Sequence, residues 1–155
     1  QLKTRTTSNH LKQIHAQLIT NGFKSPSIFA KLIEQYCAVS SPRCSKYAHL
    51  VVTHFDDPNV YLLNVLIRCT LPRHSILVFA NWVSRAELVF DDYTYIFVLG
   101  ACARSSIVSA LWEGKQIHAR VIKHGFLSYV MVQTTALHFY ASNKDVGSAR
   151  KVFDE

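Results

Sequence analysis

Four cysteines, eight histidines and two Asp-Asp pairs are the side chains of this 155-residue chain most able to do chemistry. The cysteines stand at Cys37, Cys44, Cys69 and Cys102, with no CxxC pair among them. Structural zinc favours close ligand pairs, and secreted disulfide frameworks are usually shorter and richer in cysteine. These thiols therefore read as reduced and mostly packed. The histidines form no HExxH, and there is no GxSxG elbow. The five glycines (Gly22, Gly100, Gly114, Gly125, Gly147) make neither a dinucleotide fingerprint nor a phosphate-cradling loop. Asp56–Asp57 and Asp91–Asp92 sit beside turn signals, where carboxylates cap helices or face solvent. No catalytic residue, metal-ligand set or cofactor site is assigned, and an enzyme is not expected.

Binding chemistry is better represented. Seventeen Lys+Arg against ten Asp+Glu give a net charge of +7, a balance that suits a polyanionic partner. Lys3, Arg5, Lys12, Lys24 and Lys31 fall in residues 1–33, which hold no acid. Lys115, Arg120 and Lys123 gather on one later stretch, just after Glu113. These groups suit either phosphate contact or a solvated outer face. Hydrophobic residues at 49% and charged residues at 17% exclude a disordered tail. The longest apolar candidates, Ile76–Val83 and Tyr95–Ala103, fall well short of the ~18 residues that span a bilayer, so a soluble chain with no membrane partner is expected.

The elements that must carry these groups are helical and repeated. Ile14–Phe23 reads IHAQLITNGF and Ile117–Phe126 reads IHARVIKHGF, sharing Ile, His, Ala, Ile, Gly and Phe in register. LIEQY at Leu32–Tyr36 and ALHFY at Ala136–Tyr140 extend the match, as do YAHLVVTHFDD and SARKVFDE beyond them. The offset is about three times a repeat of ~34 residues, inside the range of solenoids. Leu11, Ile14, Leu18 and Ile19 share one helical face, as do Ile117, Val121 and Ile122. Asn21-Gly22 and His124-Gly125 supply the glycine stop past a helix end. Ser25-Pro26 opens a helix through Ile28, Phe29, Leu32, Ile33 and Tyr36. Asp57-Pro58-Asn59 and Leu71-Pro72 bracket Val60–Thr70. Ser75–Arg85, Tyr93–Ala103, Leu111–His124, Val130–Ser142 and Val146–Phe153 complete a string of short helices. Brief turns make neighbours antiparallel, so the expected fold is all-α, a right-handed superhelical solenoid of helix-turn-helix repeats.

Particular strings resemble the plant pentatricopeptide repeat family in its mixed long-and-short form. Asp92–Ala103 (DYTYIFVLGACA) with Glu113–Phe126 (EGKQIHARVIKHGF) is similar to a long-type repeat. Ala136–Glu155 (ALHFYASNKDVGSARKVFDE) resembles the end of a short-type repeat, and Pro58–Ile67 (PNVYLLNVLI) the opening of an ordinary one. The resemblance divides the chain into 1–25, an incomplete long-type repeat; 26–59, short-type; 60–91, ordinary; 92–129, long-type; and 130–155, a truncated short-type repeat. Segment 60–91 reads as shortened around Leu71–His74, and Ser106–Trp112 as an insertion. The chain has no initial Met and stops mid-repeat, which implies a piece of a longer array. Uncapped end helices would then favour self-association; Trp82 and Phe139 are the aromatics to consider there, with core packing the preferred role for each.

The resemblance also implies a function: binding single-stranded RNA at one base per repeat, within an organellar RNA-processing factor, above all in RNA editing. Asn64 would face a base with Asp91 beside it, a pair similar to uracil readers of the family. Tyr61 would flank the base. The corresponding residues are Ala30 and Asn59 in 26–59, a weak selector, and Ile96 and Tyr129 in 92–129, a spacer. Thr134 in the last segment would favour a purine. Lys115, Arg120 and Lys123 would contact phosphates. No His-x-Glu or Cys-x-x-Cys deaminase signature is present, so this segment would choose RNA rather than modify it. A nuclear-encoded plant protein of chloroplast or mitochondrion is implied, working with other RNA-processing proteins. The early Ser/Thr-rich, acid-free residues look like the tail of a transit peptide. The alternative is an α-solenoid scaffold for protein partners without RNA readout.

Overall fold

The computed structural model describes residues 8–39, 42–53, 59–85 and 88–154, without the side chains of 42–45. Lys3, Arg5, Asp56, Asp57, Pro58, Glu155 and the Cys44 thiol lie outside the described residues. Those described form nine α-helices, one 3-10 turn at Phe126–Ser128 and no strand. In chain order they are α1 (Ser8–Thr20), α2 (Pro26–Ala38), α3 (Pro42–Thr53), α4 (Val60–Cys69), α5 (Pro72–Arg85), α6 (Asp92–Arg104), α7 (Ser109–Lys123), α8 (Val130–Ser142) and α9 (Val146–Asp154). The architecture is all-α, built from repeated helical hairpins. None of these helices is long and apolar enough to cross a membrane. The chain divides into two compact units, Gln1–Thr70 and Leu71–Glu155. The division falls inside segment 60–91.

The first unit is built on α2, which packs against α1, α3 and α4. Proline at the first turn of α2 suits a helix start, because its missing N–H would be unbonded there anyway. Phe29, Leu32, Ile33 and Tyr36 then bury one face of α2 with Leu62, Leu63 and Leu66 of α4. Each such side chain contributes roughly 1.5–3 kcal/mol when fully buried. Tyr36 stacks on Tyr47 of α3 at 5.8 Å between centroids, and Lys12 of α1 lies over the Tyr47 ring at 4.5 Å. An Arg68–Glu34 ion pair at 2.6 Å ties α4 to α2.

The second unit pairs α6 with α7 and α8 with α9 as hairpins, while α6 also packs on α5 and most extensively on α8. Phe79, Trp82, Tyr95, Leu99, Val121 and Phe139 are among its buried side chains. Trp82 and Phe139 are thus core residues, the preferred reading of each from sequence. A run of ring contacts joins Phe79, Phe90, Tyr95, Phe126 and Tyr129, with centroids 5.2 to 6.4 Å apart. Ion pairs Arg73–Glu113 at 2.5 Å and Lys115–Asp145 at 2.8 Å link α5 to α7, and α7 to the start of α9.

Helix ends explain where the pattern was and was not readable. After α1, Gly22 takes φ 68° while Phe23 N–H donates to Leu18 C=O and Gly22 N–H to Ile19 C=O, the paired bonds of a Schellman cap. Gly125, at φ 75°, follows α7 in the same way, its N–H donating to Ile122 C=O. The same turn closes α8 without glycine. Lys144 sits at φ 61°, with Asp145 N–H donating to Tyr140 C=O and Lys144 N–H to Ala141 C=O. Helix α4 ends at Cys69, as Leu71-Pro72 implied, and α5 begins at Pro72, earlier than the expected Ser75, because that proline also opens a helix. Helix α7 begins at Ser109, so most of the expected insertion is helical. Only Ser105–Val108 form the turn, where the Ser105 hydroxyl accepts from Ile107 N–H.

Candidate nucleic-acid interface

Helices α2, α4, α6 and α8 repeat one positional scheme. Ala30, Asn64, Ile96 and Thr134 each stand fifth in their helix. Ser25, Asn59, Asp91 and Tyr129 each stand immediately before it, and Ser27, Tyr61, Tyr93 and Met131 stand second. One residue type per step is therefore delivered at a constant place along the helix, because 3.6 residues per turn fixes direction once the start is fixed.

Exposure differs sharply along the fifth position. Ala30 and Asn64 are buried at 3% and 6%, Ile96 is half-buried, and Thr134 is exposed. The Thr134 hydroxyl donates to Val130 C=O at 2.7 Å, the back-bond of a helical threonine. The residues before each helix act as caps where chemistry allows. Asn59 Oδ1 accepts from the N–H groups of Tyr61 at 2.8 Å and Leu62 at 3.4 Å. Asp91 Oδ1 accepts from Thr94 N–H and from the Thr94 hydroxyl, each at 2.8 Å. Such caps stabilise by about 1 kcal/mol and hold these polar groups at the helix mouth. Asn64 belongs to the first unit and Asp91 to the second.

The second position is exposed at every step and aromatic at two of the four. Tyr61 is 50% exposed, Tyr93 58% and Met131 65%. Tyr93 forms a tilted pair with Phe97 one turn on, centroids 6.2 Å apart. Sequence reasoning singled out Tyr61 but missed Tyr93. The signal was present, since Tyr93 follows Asp91-Asp92 as Tyr61 follows Asn59-Val60.

The three basic residues of α7 do not act alike. The Lys115 ammonium is committed to Asp145, whose carboxyl is held below the usual carboxylate range by that hydrogen bond and by Ser148 N–H. Arg120 and Lys123 are exposed and meet no acid in an ion pair among the described residues. All three lie on a helix that closes a hairpin, not on the helices that carry the fifth-position residues.

Other reactive groups are structural. No three His, Cys, Asp or Glu side chains come together as a metal site among the described residues. His118 Nδ1 shares a hydrogen bond with the Tyr140 hydroxyl at 2.9 Å, and His124 Nδ1 one with Tyr95 at 3.0 Å. Burial, helped by the Glu113 charge, pushes the Cys102 thiol up to about 12, far from a nucleophilic thiolate. Cys69 and Cys102 are free thiols.

No family model matches the chain. It is, however, 49% identical over 148 residues to pentatricopeptide repeat-containing protein At3g18970 of Arabidopsis thaliana, covering 93% of this chain and 31% of that one. It is 36% identical over 151 residues to At3g56550, covering 94% and 25%, and 32% identical over 159 residues to At3g26630, chloroplastic, covering 99% and 34%, both also pentatricopeptide repeat-containing proteins of that plant. The chain thus spans about a third or less of the length of these curated relatives. Similarity through every hairpin, on a fold of repeated helix pairs, shows that this chain belongs to the pentatricopeptide repeat family.

Proposed function

We propose that this chain is a single-stranded RNA-binding segment of a longer organellar RNA-processing factor. The observation that carries the reading is the constant placement of a second-position, a fifth-position and a preceding residue on α2, α4, α6 and α8. Each unit carries that scheme on two helices, which suits a polymer of one repeating unit. The exposed rings of Tyr61 and Tyr93 offer stacking of roughly 1–3 kcal/mol per base.

The repeats we assign are 26–59, 60–91 and 92–129, with partial ones at 1–25 and 130–155, in a mixed long-and-short array. Asn64 favours a uracil, its amide donating and accepting at the pyrimidine edge. Ala30 with Asn59 selects weakly, since alanine cannot hydrogen-bond a base. Ile96 with Tyr129 spaces the array, and Thr134 favours a purine. Arg120 and Lys123, unpaired on the second-helix side, add attraction at a distance rather than seated phosphate contacts. Two relatives are named chloroplastic and chloroplastic/mitochondrial, which supports work in one of those organelles. RNA editing is the process we assign, with the chemistry supplied outside this segment.

The test is equilibrium binding of labelled single-stranded and duplex RNA pools at low and moderate salt. Single strands should bind more tightly, with affinity falling as salt rises. Tyr61→Ala should weaken single-strand binding by roughly 5- to 150-fold, the equivalent of one lost stack. Equal binding of duplex and single strands, unchanged by Tyr61→Ala, would overturn the reading.

A further inference from the structure

Within the second unit, the two sides of the hairpin stack are closed to different degrees. Helices α6 and α8 pack directly on one another. Helices α5 and α7 both pack on α6, and the Arg73–Glu113 ion pair joins them near their starts. Beyond that pair a cleft of about 270 Å³ opens between them. Ile76, Phe79, Ala80 and Val83 of α5 face Gln116 and Ile117 of α7, with Arg120 at the far end. The spacing i, i+3, i+4, i+7 on both helices means one stripe from each lines the trough, apolar on α5 and polar but for Ile117 on α7. From Glu113 to Arg120 it runs about 10 Å, the rise of seven helical residues.

We propose that this cleft docks an acidic amphipathic helix of a protein partner, seating one apolar side chain between α5 and α7 and one carboxylate on Arg120. The volume lies below the ~300–1,000 Å³ usual for small-molecule pockets, so it suits a side chain better than a metabolite. Ile76, Phe79 and Ile117 are 3%, 3% and 4% exposed and form the floor, while Leu77, 48% exposed, forms an apolar rim. That is the geometry of helix-in-groove recognition, where anchors repeat every three or four residues. An apolar floor gives a phosphate backbone nothing to bind.

Charge fixes the sign of the partner. Glu113 is already neutralised by Arg73, leaving Arg120 as the open charge at the trough, with Lys123 one turn on. A bidentate guanidinium–carboxylate pair at such a rim sets register and partner choice. A second copy of this chain is a poor source of that carboxylate. Its net charge is +7, and of its described acids Glu34, Glu113, Asp145 and Asp154 are ion-paired and Asp91 caps a helix, which leaves only Asp92 at the start of α6. This proposal does not rest on the RNA reading, since it uses the opposite set of helices.

The experiment is selection of binders from a displayed library of amphipathic 14-residue helices, with all surface positions randomised. Affinities of the enriched peptides are then read by fluorescence anisotropy against the parent chain, Ala80→Trp and Arg120→Glu, each checked for helix content by circular dichroism. Both substitutions fall on exposed positions. The expected peptides carry Leu, Phe or Met at i, i+4 spacing with Asp or Glu one turn on. They weaken about tenfold or more on each variant, and Glu→Lys in the peptide restores binding to Arg120→Glu. Enriched peptides that bind both variants as well as the parent, that carry no acid, or that single-stranded RNA displaces would overturn the proposal. So would a library that yields no binder.

Discussion

Gly114→Ala sets two effects of known size against each other. Glycine inside a helix costs about 1 kcal/mol relative to alanine, so propensity alone predicts a more stable protein. Packing predicts the reverse. A Cβ at residue 114 would stand 2.2, 2.3 and 2.9 Å from three ring carbons of Phe139, where ordinary carbon contacts are about 3.5–4.0 Å. The shortfall is over 1 Å, and Phe139 is fully buried on α8, so its ring has no free space to turn into. Inserting one carbon into such a core costs typically 1–3 kcal/mol, and this contact is at the severe end. The balance is a net loss of about 1–2 kcal/mol, or roughly 2–8 °C in the melting midpoint for a chain of this length. Thermal and urea unfolding followed by circular dichroism reads it directly. Gly147→Ala is the control, because its Cβ would meet nothing nearer than the Asp145 carboxylate at 4.0 Å and propensity should win. Phe139→Leu added to Gly114→Ala should recover part of the loss. A Gly114→Ala protein as stable as the parent would refute the reasoning.

Three further outcomes follow from helix ends and burial. Lys144→Gly should raise stability by about 1 kcal/mol, since a lysine at φ 61° bears a left-handed backbone that glycine adopts freely; an unchanged urea midpoint would contradict this. Cys102, with its thiol pushed up to about 12, should resist iodoacetamide at pH 8 in the native chain and react once unfolded, as read by mass spectrometry of the labelled peptides. Burial holds His15, packed edge-on to Phe29 and Tyr36, below its ordinary value. The unfolded chain then binds the His15 proton more readily, so stability should fall as pH drops below about 6.5. His15→Gln should lessen that slope between pH 7.5 and 5.5, and an identical slope would remove His15 as its source.

Much of the hairpin pattern was legible because it rests on local physics. Gly22 and Gly125 mark helix ends by a backbone conformation few other residues accept, and the Ile117, Val121 stripe marks a buried face. Lys144 was not legible, because the left-handed turn there is imposed by its two capping bonds and not by a permissive residue. Leu71-Pro72 marks the end of α4 as read, but the start of α5 at Pro72 was missed, since proline serves equally after one helix and at the start of the next. The fifth-position residues could be located by counting, yet their exposure could not. Asn64 is buried and Thr134 open although both hold the same place, because neighbouring hairpins decide which side chains are covered. Lys115 looked free from sequence, and only the packing of successive hairpins brings Asp145 to it. The trough between α5 and α7 is likewise a product of two helices that meet through a third.

Photo-crosslinking of 4-thiouridine-containing single strands, mapped by mass spectrometry, tests the central claim most directly. Adducts should fall at the starts of α4, α6 and α8, on Tyr61, Tyr93, Met131 and their neighbours, and should vanish with unlabelled single-stranded competitor. Adducts confined to α5, α7 and α9, at residues such as Leu77, Trp112 or Lys123, would contradict it.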